Sequence, residues 1–273
     1  MANFDERFVL DEKNKDNIIY NEHIIRYELA KQLVKGKKVL DIACGSGYGA
    51  KIIAENEAQE VIGIDADEKA IAKAQSENKL KNLKYQKGDA ENLNLEEESL
   101  DIITSFETIE HLQKPSEYLK ELSRVIKKDG IVLLSTPNKE IYQEKNPYHY
   151  REYTKEEFEK ILSGHFPNVK IIAQGNGLAS FISDSKKEIK ASIPAEQTAL
   201  YFIAICSHSE EKIENFDFQP IGSINPQALD NIRNNPSFKM VDKIYSLLTM
   251  IPGLKQILKY FSCHSRESGN PKS

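Results

Sequence analysis

Between residues 38 and 137 the chain keeps returning to short apolar, β-branched runs: "KVLDIA" (38–43), "EVIGID" (60–65), "LKYQK" (83–87), "LDIITSF" (100–106) and "GIVLLSTP" (130–137). Helical patterns separate them at 48–56, 67–79 and 115–127. Most of these runs are apolar at consecutive positions, so both pleat faces need cover from water. Strands covered on both faces and joined through helices imply a mostly parallel sheet, an α/β fold with helices on either side. The same spacing logic places an amphipathic helix at 18–34, carried by Ile18, Ile25, Leu29 and Leu33. A further helix at 154–163 opens on Thr154 with Glu157 three residues on, the pattern of a capping box. Strands at 168–175 and 199–207 complete a set of seven.

The intervening stretch around 178–197 reads as loop or short helix. Past residue 209 the pattern changes to a polar linker, followed by helices at 227–247 and 252–261. The expected division is therefore a main domain at 1–208, a linker and helical extension at 209–262, and a disordered tail at 263–273. The segment "SLLTMIPGLKQILKYF", with Lys243, Lys255 and Lys259, reads as a packing helix, with weak membrane-surface contact as the alternative.

Composition narrows the function classes. A net charge of −5 and a pI near 5.8 supply no basic footprint, so nucleic acid is not the expected partner. Cys44, Cys206 and Cys263 form no CxxC pair, which argues against a disulfide framework or a zinc site. No run reaches the roughly 18–20 apolar residues of a membrane span, and the first residues are acidic and polar, so the expected compartment is the cytoplasm. Oligomeric state is not legible.

The sharpest local feature is "VLDIACGSGYG" (39–49), a strand that ends near Asp41 and breaks into glycines at 45, 47 and 49. Glycines after a strand let the backbone turn and approach a ligand, and the next helix presents free N–H groups. "GSGYGA" also satisfies the dinucleotide pattern, with Asp65 twenty residues beyond Gly45 where a ribose-binding acid belongs. A nicotinamide-binding oxidoreductase therefore stays open at this point.

Taken with its neighbours, the string D-I-A-C-G-S-G resembles the first motif of class I S-adenosylmethionine-dependent methyltransferases, with Ala43 where that family most often has a glycine. The resemblance implies a Rossmann-like seven-stranded sheet whose last strand is antiparallel. It also implies S-adenosyl-L-methionine as cofactor and S-adenosyl-L-homocysteine as product. In that reading Gly45 and Gly47 wrap the amino-acid arm, Asp65 with Ala66 holds the ribose, and Asp89 with Ala90, in "KGDAENL", meets the adenine. Phe106 would lie alongside the cofactor, and Arg26 would meet its carboxylate, as an arginine at a similar distance does in the quinone enzymes.

The string "ETIEHL" (107–112) resembles the E-x-x-E-H-L of small-molecule methyltransferases, among them the ubiquinone-pathway O-methyltransferases. There Glu107, Glu110 and His111 correspond to residues that can hold a divalent metal, although no metal is the expectation here. "NPYHYREYT" (146–154) and the N-terminal "ERFV" (6–9) resemble methyltransferases encoded beside polysaccharide glycosyltransferases. A hydroxyl acceptor must lose a proton, so His149 and His111 are the candidate bases, with Glu107 beside them and His23 a third imidazole. Tyr142, Tyr148, Tyr150 and Tyr153 could floor a site for a sugar. The expected acceptor is thus a small-molecule or saccharide hydroxyl in cell-envelope glycan synthesis. A ubiquinone-type O-methyltransferase and a module that binds the cofactor without transferring its methyl remain the alternatives.

Overall fold

A computed structural model describes residues 18–141, 146–176, 179–183, 199–218 and 221–224, all within one compact unit spanning 1–225. The helices expected at 227–247 and 252–261, the tail, and the stretch 184–198 lie outside the described residues.

The chain runs α1 (Ile18–Ala30), β1 (Lys38–Ile42), α2 (Tyr48–Glu55), β2 (Glu60–Asp65), α3 (Glu68–Glu77), β3 (Leu83–Lys87) and β4 (Leu100–Phe106). A 3-10 turn at Ile109–His111 leads to α4 (Pro115–Val125), β5 (Ile126–Pro137), α5 (Lys155–Ser163), β6 (Asn168–Asn176) and β7 (Ala179–Ser183). The described part closes with β8 (Ala199–Ser207), α6 (Glu210–Glu214) and β9 (Ile221–Ile224). The sheet order is β3-β2-β1-β4-β5-β8-β6-β7-β9. Strands β1 to β5 pair in parallel, and β8 inserts antiparallel between β5 and β6.

All seven expected strands form, with the last of them antiparallel, and two more join at the edge. Strand β7 adds antiparallel to β6, inside the stretch read as loop or short helix. Strand β9 adds antiparallel to β7, and α6 precedes it, inside the stretch read as linker. The sheet therefore reaches beyond residue 208. These short segments acquire strand geometry by pairing with an existing edge, a non-local cause that local pattern does not encode.

Adjacent strand residues feed opposite faces, as the both-faces argument requires. Val39, Ile102 and Leu133 pack with Ile25 and Leu29 of α1, Ile53 of α2, Ile71 of α3, and with Phe216 and Phe218 beyond α6. Leu40, Ile103 and Leu134 pack with Leu122 of α4 and Phe158 of α5. Each such aliphatic or aromatic side chain contributes roughly 1.5–3 kcal/mol when fully buried, which is why these runs cannot tolerate a polar face. The capping box at α5 is complete: Glu157 N–H donates to Thr154 Oγ1 at 3.2 Å, and Thr154 N–H donates to Glu157 Oε2 at 3.0 Å.

Strand order reverses at β1. The chain steps outward through β2 and β3, then crosses back to β4 on the other side of β1. Asp41 pairs with both Gly63 and Thr104, so the tips of β1, β2 and β4 end at one height. Such a reversal opens a crevice at the carboxyl edge, where open α/β sheets bind their ligands.

Candidate functional site

The turn after β1 is held in a conformation that suits glycine. Ala43, Gly45 and Gly47 have φ of 56°, 53° and 82°, all in the left-handed region. Gly47 caps α2, and a Cβ there would lie 2.5 Å from the Tyr85 hydroxyl, which donates to Gly47 O at 2.6 Å. Gly49 lies within the helix and is needed for a different reason: a Cβ there would run into the ring of Tyr27.

Asp41 sits sealed beneath this turn. Its Oδ1 accepts from Thr104 Oγ1 at 2.7 Å and from the Tyr27 hydroxyl at 3.1 Å. Burial pushes its pKa up to about 7 against the pull of those donors. Asp41 thus supports the loop from below.

Asp65, at the tip of β2, is only partly buried. Its Oδ2 accepts from Gly45 N–H and its Oδ1 from Asp67 N–H, each at 2.8 Å. These two bonds fix the glycine turn to the acid. Ala66 beside it is exposed. At the next tip, Gly88 N–H donates to Asp65 O at 3.0 Å, which ties β3 to β2. Asp89 is exposed and accepts from Glu91 N–H at 2.9 Å, and Ala90 is half-buried. Acids from two neighbouring tips therefore flank the crevice.

On the opposite side lies Arg26 of α1, fully buried. Its Nε donates to Gln174 Oε1 at 2.7 Å, and its guanidinium stacks 4.2 Å above the Tyr201 ring. Nη1 and Nη2 are buried without a hydrogen-bond partner. Burial opposes the charge, yet Glu107, Tyr201 and Glu22 around it raise the pKa above the usual arginine value. A buried guanidinium with two unused nitrogens is costly unless an anion completes it, and a planar carboxylate does so bidentately. Phe106 is buried edge-on against Tyr27, with ring centroids 5.0 Å apart. Glu107 follows it, 3.5 Å from Arg26 through Oε1.

The acceptor-side residues gather past β4. Glu110 is buried; its Oε2 accepts from Thr136 Oγ1 at 3.2 Å while Oε1 has no partner. Burial, then the neighbouring Glu107, pushes its pKa well above the usual carboxylate value. The Glu110 carbonyl accepts from Tyr150 N–H at 2.8 Å and Arg151 N–H at 3.3 Å, which draws the 146–153 loop against this turn. His111 and His149 come together from these two segments, rings edge-to-face at 4.7 Å. His111 Nδ1 lies 3.2 Å from Tyr148 O, and His149 Nδ1 lies 3.3 Å from Glu152 Oε1.

Donor atoms of Glu110, His111 and His149 all lie within 4.8 Å of one another. Glu107 stands outside that group, turned to Arg26, so the trio suggested by the quinone enzymes is not the one the fold assembles. Two imidazoles with one carboxylate suit a borderline divalent ion such as zinc or iron better than magnesium.

Other expected residues separate. Tyr148 and Tyr150 are exposed beside the histidines, whereas Tyr153 is fully buried against Phe158, and Tyr142 lies outside the described residues. Tyr153 is core because it fills the face covered by α5. His23 donates or accepts at the Tyr48 hydroxyl, 3.0 Å away, and burial with nearby Arg26 lowers its pKa to about 3. An imidazole that weakly basic is a poor proton acceptor. Tyr27, Tyr85, Thr104, Ser135, Gln174 and Tyr201 all shape the site and carried no local signal; Gln174 meets Arg26 across 148 positions.

A family model described as "Methyltransferase domain" matches residues 33–192. The chain belongs to the class I S-adenosylmethionine-dependent methyltransferases. A Mycolicibacterium smegmatis protein named "Probable S-adenosylmethionine-dependent methyltransferase" is 31% identical over 153 residues, covering 54% of this chain and 58% of that protein. The Coxiella burnetii ubiquinone biosynthesis O-methyltransferase is 34% identical over 129 residues, covering 46% and 55% respectively. The chain spans about half the length of these curated relatives. Among solved structures, YcgJ from Bacillus subtilis superposes with a TM-score of 0.53 at 21% identity, covering 69% of this methyltransferase chain and 99% of YcgJ. An Aquifex aeolicus SAM-dependent methyltransferase gives 0.50 at 19%, covering 71% and 92%. Both speak to the fold alone.

S-adenosylmethionine is the cofactor of this family, and the residues present fit it. The unused nitrogens of Arg26, the left-handed turn from Ala43 to Gly47 and the acids at two strand tips match, in order, a carboxylate, a close-lying chain and an adenosine. Among the described residues, no helix is long and apolar enough to cross a membrane.

Proposed function

We propose that this methyltransferase transfers a methyl group from S-adenosylmethionine to a hydroxyl of a small molecule, and that the acceptor is a saccharide in cell-envelope glycan synthesis, handled in the cytoplasm. The observation that supports an oxygen acceptor is the pairing of His111 with His149, His149 backed by the Glu152 carboxylate at 3.3 Å. Methyl transfer from a sulfonium is an in-line displacement in which charge disperses, so positioning and exclusion of water supply most of the acceleration. What remains is the hydroxyl proton. His149, oriented by Glu152, is the group suited to take it, because an imidazole nitrogen is a competent general base.

In this reading Arg26 holds the cofactor carboxylate, Gly45 and Gly47 accommodate the amino-acid arm, Asp65 accepts from the ribose hydroxyls, and Asp89 accepts from the adenine amino group. Asp41 and Ala43 act by shaping the turn, with Ala66, Ala90 and Phe106 as small or flat walls. Tyr148 and Tyr150, exposed beside the histidines, offer faces on which a sugar ring can stack. The likeness of "NPYHYREYT" to polysaccharide-cluster methyltransferases supports the saccharide. A quinone precursor is the second reading, favoured by the 34% identity to the Coxiella burnetii enzyme.

Two measurements test this. Calorimetry with S-adenosylhomocysteine on the intact chain and on Asp65→Ala reads the cofactor; loss of a charged acceptor should weaken binding by about 1.5–3 kcal/mol, roughly tenfold to over a hundredfold. Radiolabelled S-adenosylmethionine offered with sugar nucleotides, lipid-linked glycans and catechol quinone precursors reads the acceptor. Label entering only the quinone precursors would replace the saccharide by the second reading. Tighter binding of NADH than of S-adenosylhomocysteine would remove both.

A further inference from the structure

Resting on the methyltransferase reading above, we propose that Glu107 is the receptor for the cofactor's α-ammonium group, so that Arg26 and Glu107 together read the zwitterionic end of its amino-acid arm. The resemblance places Glu107 among metal ligands or bases, but the fold gives it other company. Its Oε1 accepts from Ser135 Oγ at 2.7 Å and faces Arg26 Nη1 at 3.5 Å, close enough for attraction without a hydrogen bond. Its Oε2 has no hydrogen-bond partner among the described residues, and the side chain is 15% exposed.

The backbone holds this arrangement at a cost. Glu107 has φ of 53°, a left-handed conformation worth about 1–2 kcal/mol of strain in a residue with a Cβ. It persists because Ser135 grips the residue twice more: Glu107 N–H donates to Ser135 Oγ at 3.0 Å and lies 3.3 Å from Ser135 O. Strain of this kind, over-determined by its surroundings, collects where a side chain must be aimed.

The geometry then matches the ligand. Strand β4 delivers Glu107 beside the turn that leaves β1, because Asp41 and Thr104 are in register. Tyr48, the first residue of α2, feels the charges of both Arg26 and Glu107. An amino acid carries its carboxylate and ammonium on one carbon. A fixed cation with unused nitrogens set beside a fixed anion with an unused oxygen is the complementary pair. Each protein charge also keeps the other soluble in a buried place until the ligand arrives.

The test is isothermal calorimetry on the full chain with three ligands: S-adenosylhomocysteine, its des-amino analogue that keeps the carboxylate, and 5′-methylthioadenosine, which lacks the arm. Glu107→Gln, of the same shape, should weaken S-adenosylhomocysteine by about tenfold to a hundredfold, the range for losing a charged hydrogen bond. It should shift the other two ligands less than about twofold by the same reasoning. Glu107→Asp should fall between, with melting temperature serving as the folding control. Equal weakening of all three ligands would mean a merely structural role and would overturn the proposal. Unchanged affinity, or tighter binding because a carboxylate no longer repels the ligand's own, would overturn it as well. Failure of the unaltered chain to bind S-adenosylhomocysteine would instead bring down the methyltransferase reading and this inference with it.

Discussion

Replacing Gly49 by alanine sets helix propensity directly against tertiary packing. In a helix interior alanine is favoured over glycine by about 1 kcal/mol, so propensity alone says the substitution stabilises. The structure says otherwise, because the space a Cβ would enter holds the Tyr27 ring. To accommodate it, Tyr27 must shift, and Tyr27 is buried with its hydroxyl 3.1 Å from Asp41 Oδ1 and its ring against Phe106 and Tyr48 at 5.0 and 5.4 Å. Overpacking of this sort costs about 1–3 kcal/mol. Leaving the buried Asp41 one donor short adds about 1–3 kcal/mol. Disturbed aromatic pairs add about 0.5–1.5 kcal/mol. After a propensity gain of at most about 1 kcal/mol, a net loss of about 1.5–6.5 kcal/mol remains. Gly45→Ala is the internal comparison: φ is 53°, nothing lies within 4 Å of the new Cβ, and only backbone strain of about 1–2 kcal/mol applies. Urea unfolding followed by far-UV circular dichroism reads both, since a shift in midpoint at constant slope is a change in stability. A Gly49→Ala protein as stable as the parent, or less affected than Gly45→Ala, would refute the packing argument.

Burial pushes the Asp41 pKa up to about 7, from an ordinary value of 3.8. Between those values the folded state binds more protons than the unfolded one, so this group's contribution falls as pH rises through the window. Asp41→Asn should therefore gain on the parent between pH 4 and pH 8 in urea midpoints; a difference that stays constant or moves the other way would contradict it. Thr154→Ala removes the hydroxyl that accepts from Glu157 N–H at 3.2 Å and should cost about 1 kcal/mol, seen as a lower melting temperature. Unaltered melting would show that the cap contributes nothing to the folded state.

Much of the site could be read along the chain because its parts sit at strand tips. Asp41, Gly45, Gly47, Asp65 and Asp89 follow three consecutive apolar runs, and a parallel sheet must bring such tips to one edge. The roles within the edge were less legible. Asp41 turned out to be sealed under the turn, which depends on Tyr27 and Thr104 closing over it. Glu107 and Glu110 stand three positions apart in one string, yet one faces Arg26 and the other is buried beside Thr136. Strands β7 and β9 were hidden because their backbones are ordered by a neighbouring edge instead of by their own pattern.

Periodicity and spacing alone determined the α/β class, the positions of the first five strands along the chain, the bend after β1 and the acids around it, since each follows from which side chains must leave water and where the backbone must bend. Tertiary structure decided the partners: Gln174 and Tyr201 around Arg26, Ser135 behind Glu107, His149 against His111. Those contacts join residues 28 to 175 positions apart, as Ser135 to Glu107 and Tyr201 to Arg26 show. A charge has no meaning for chemistry until the fold has chosen what stands beside it and how much water is left.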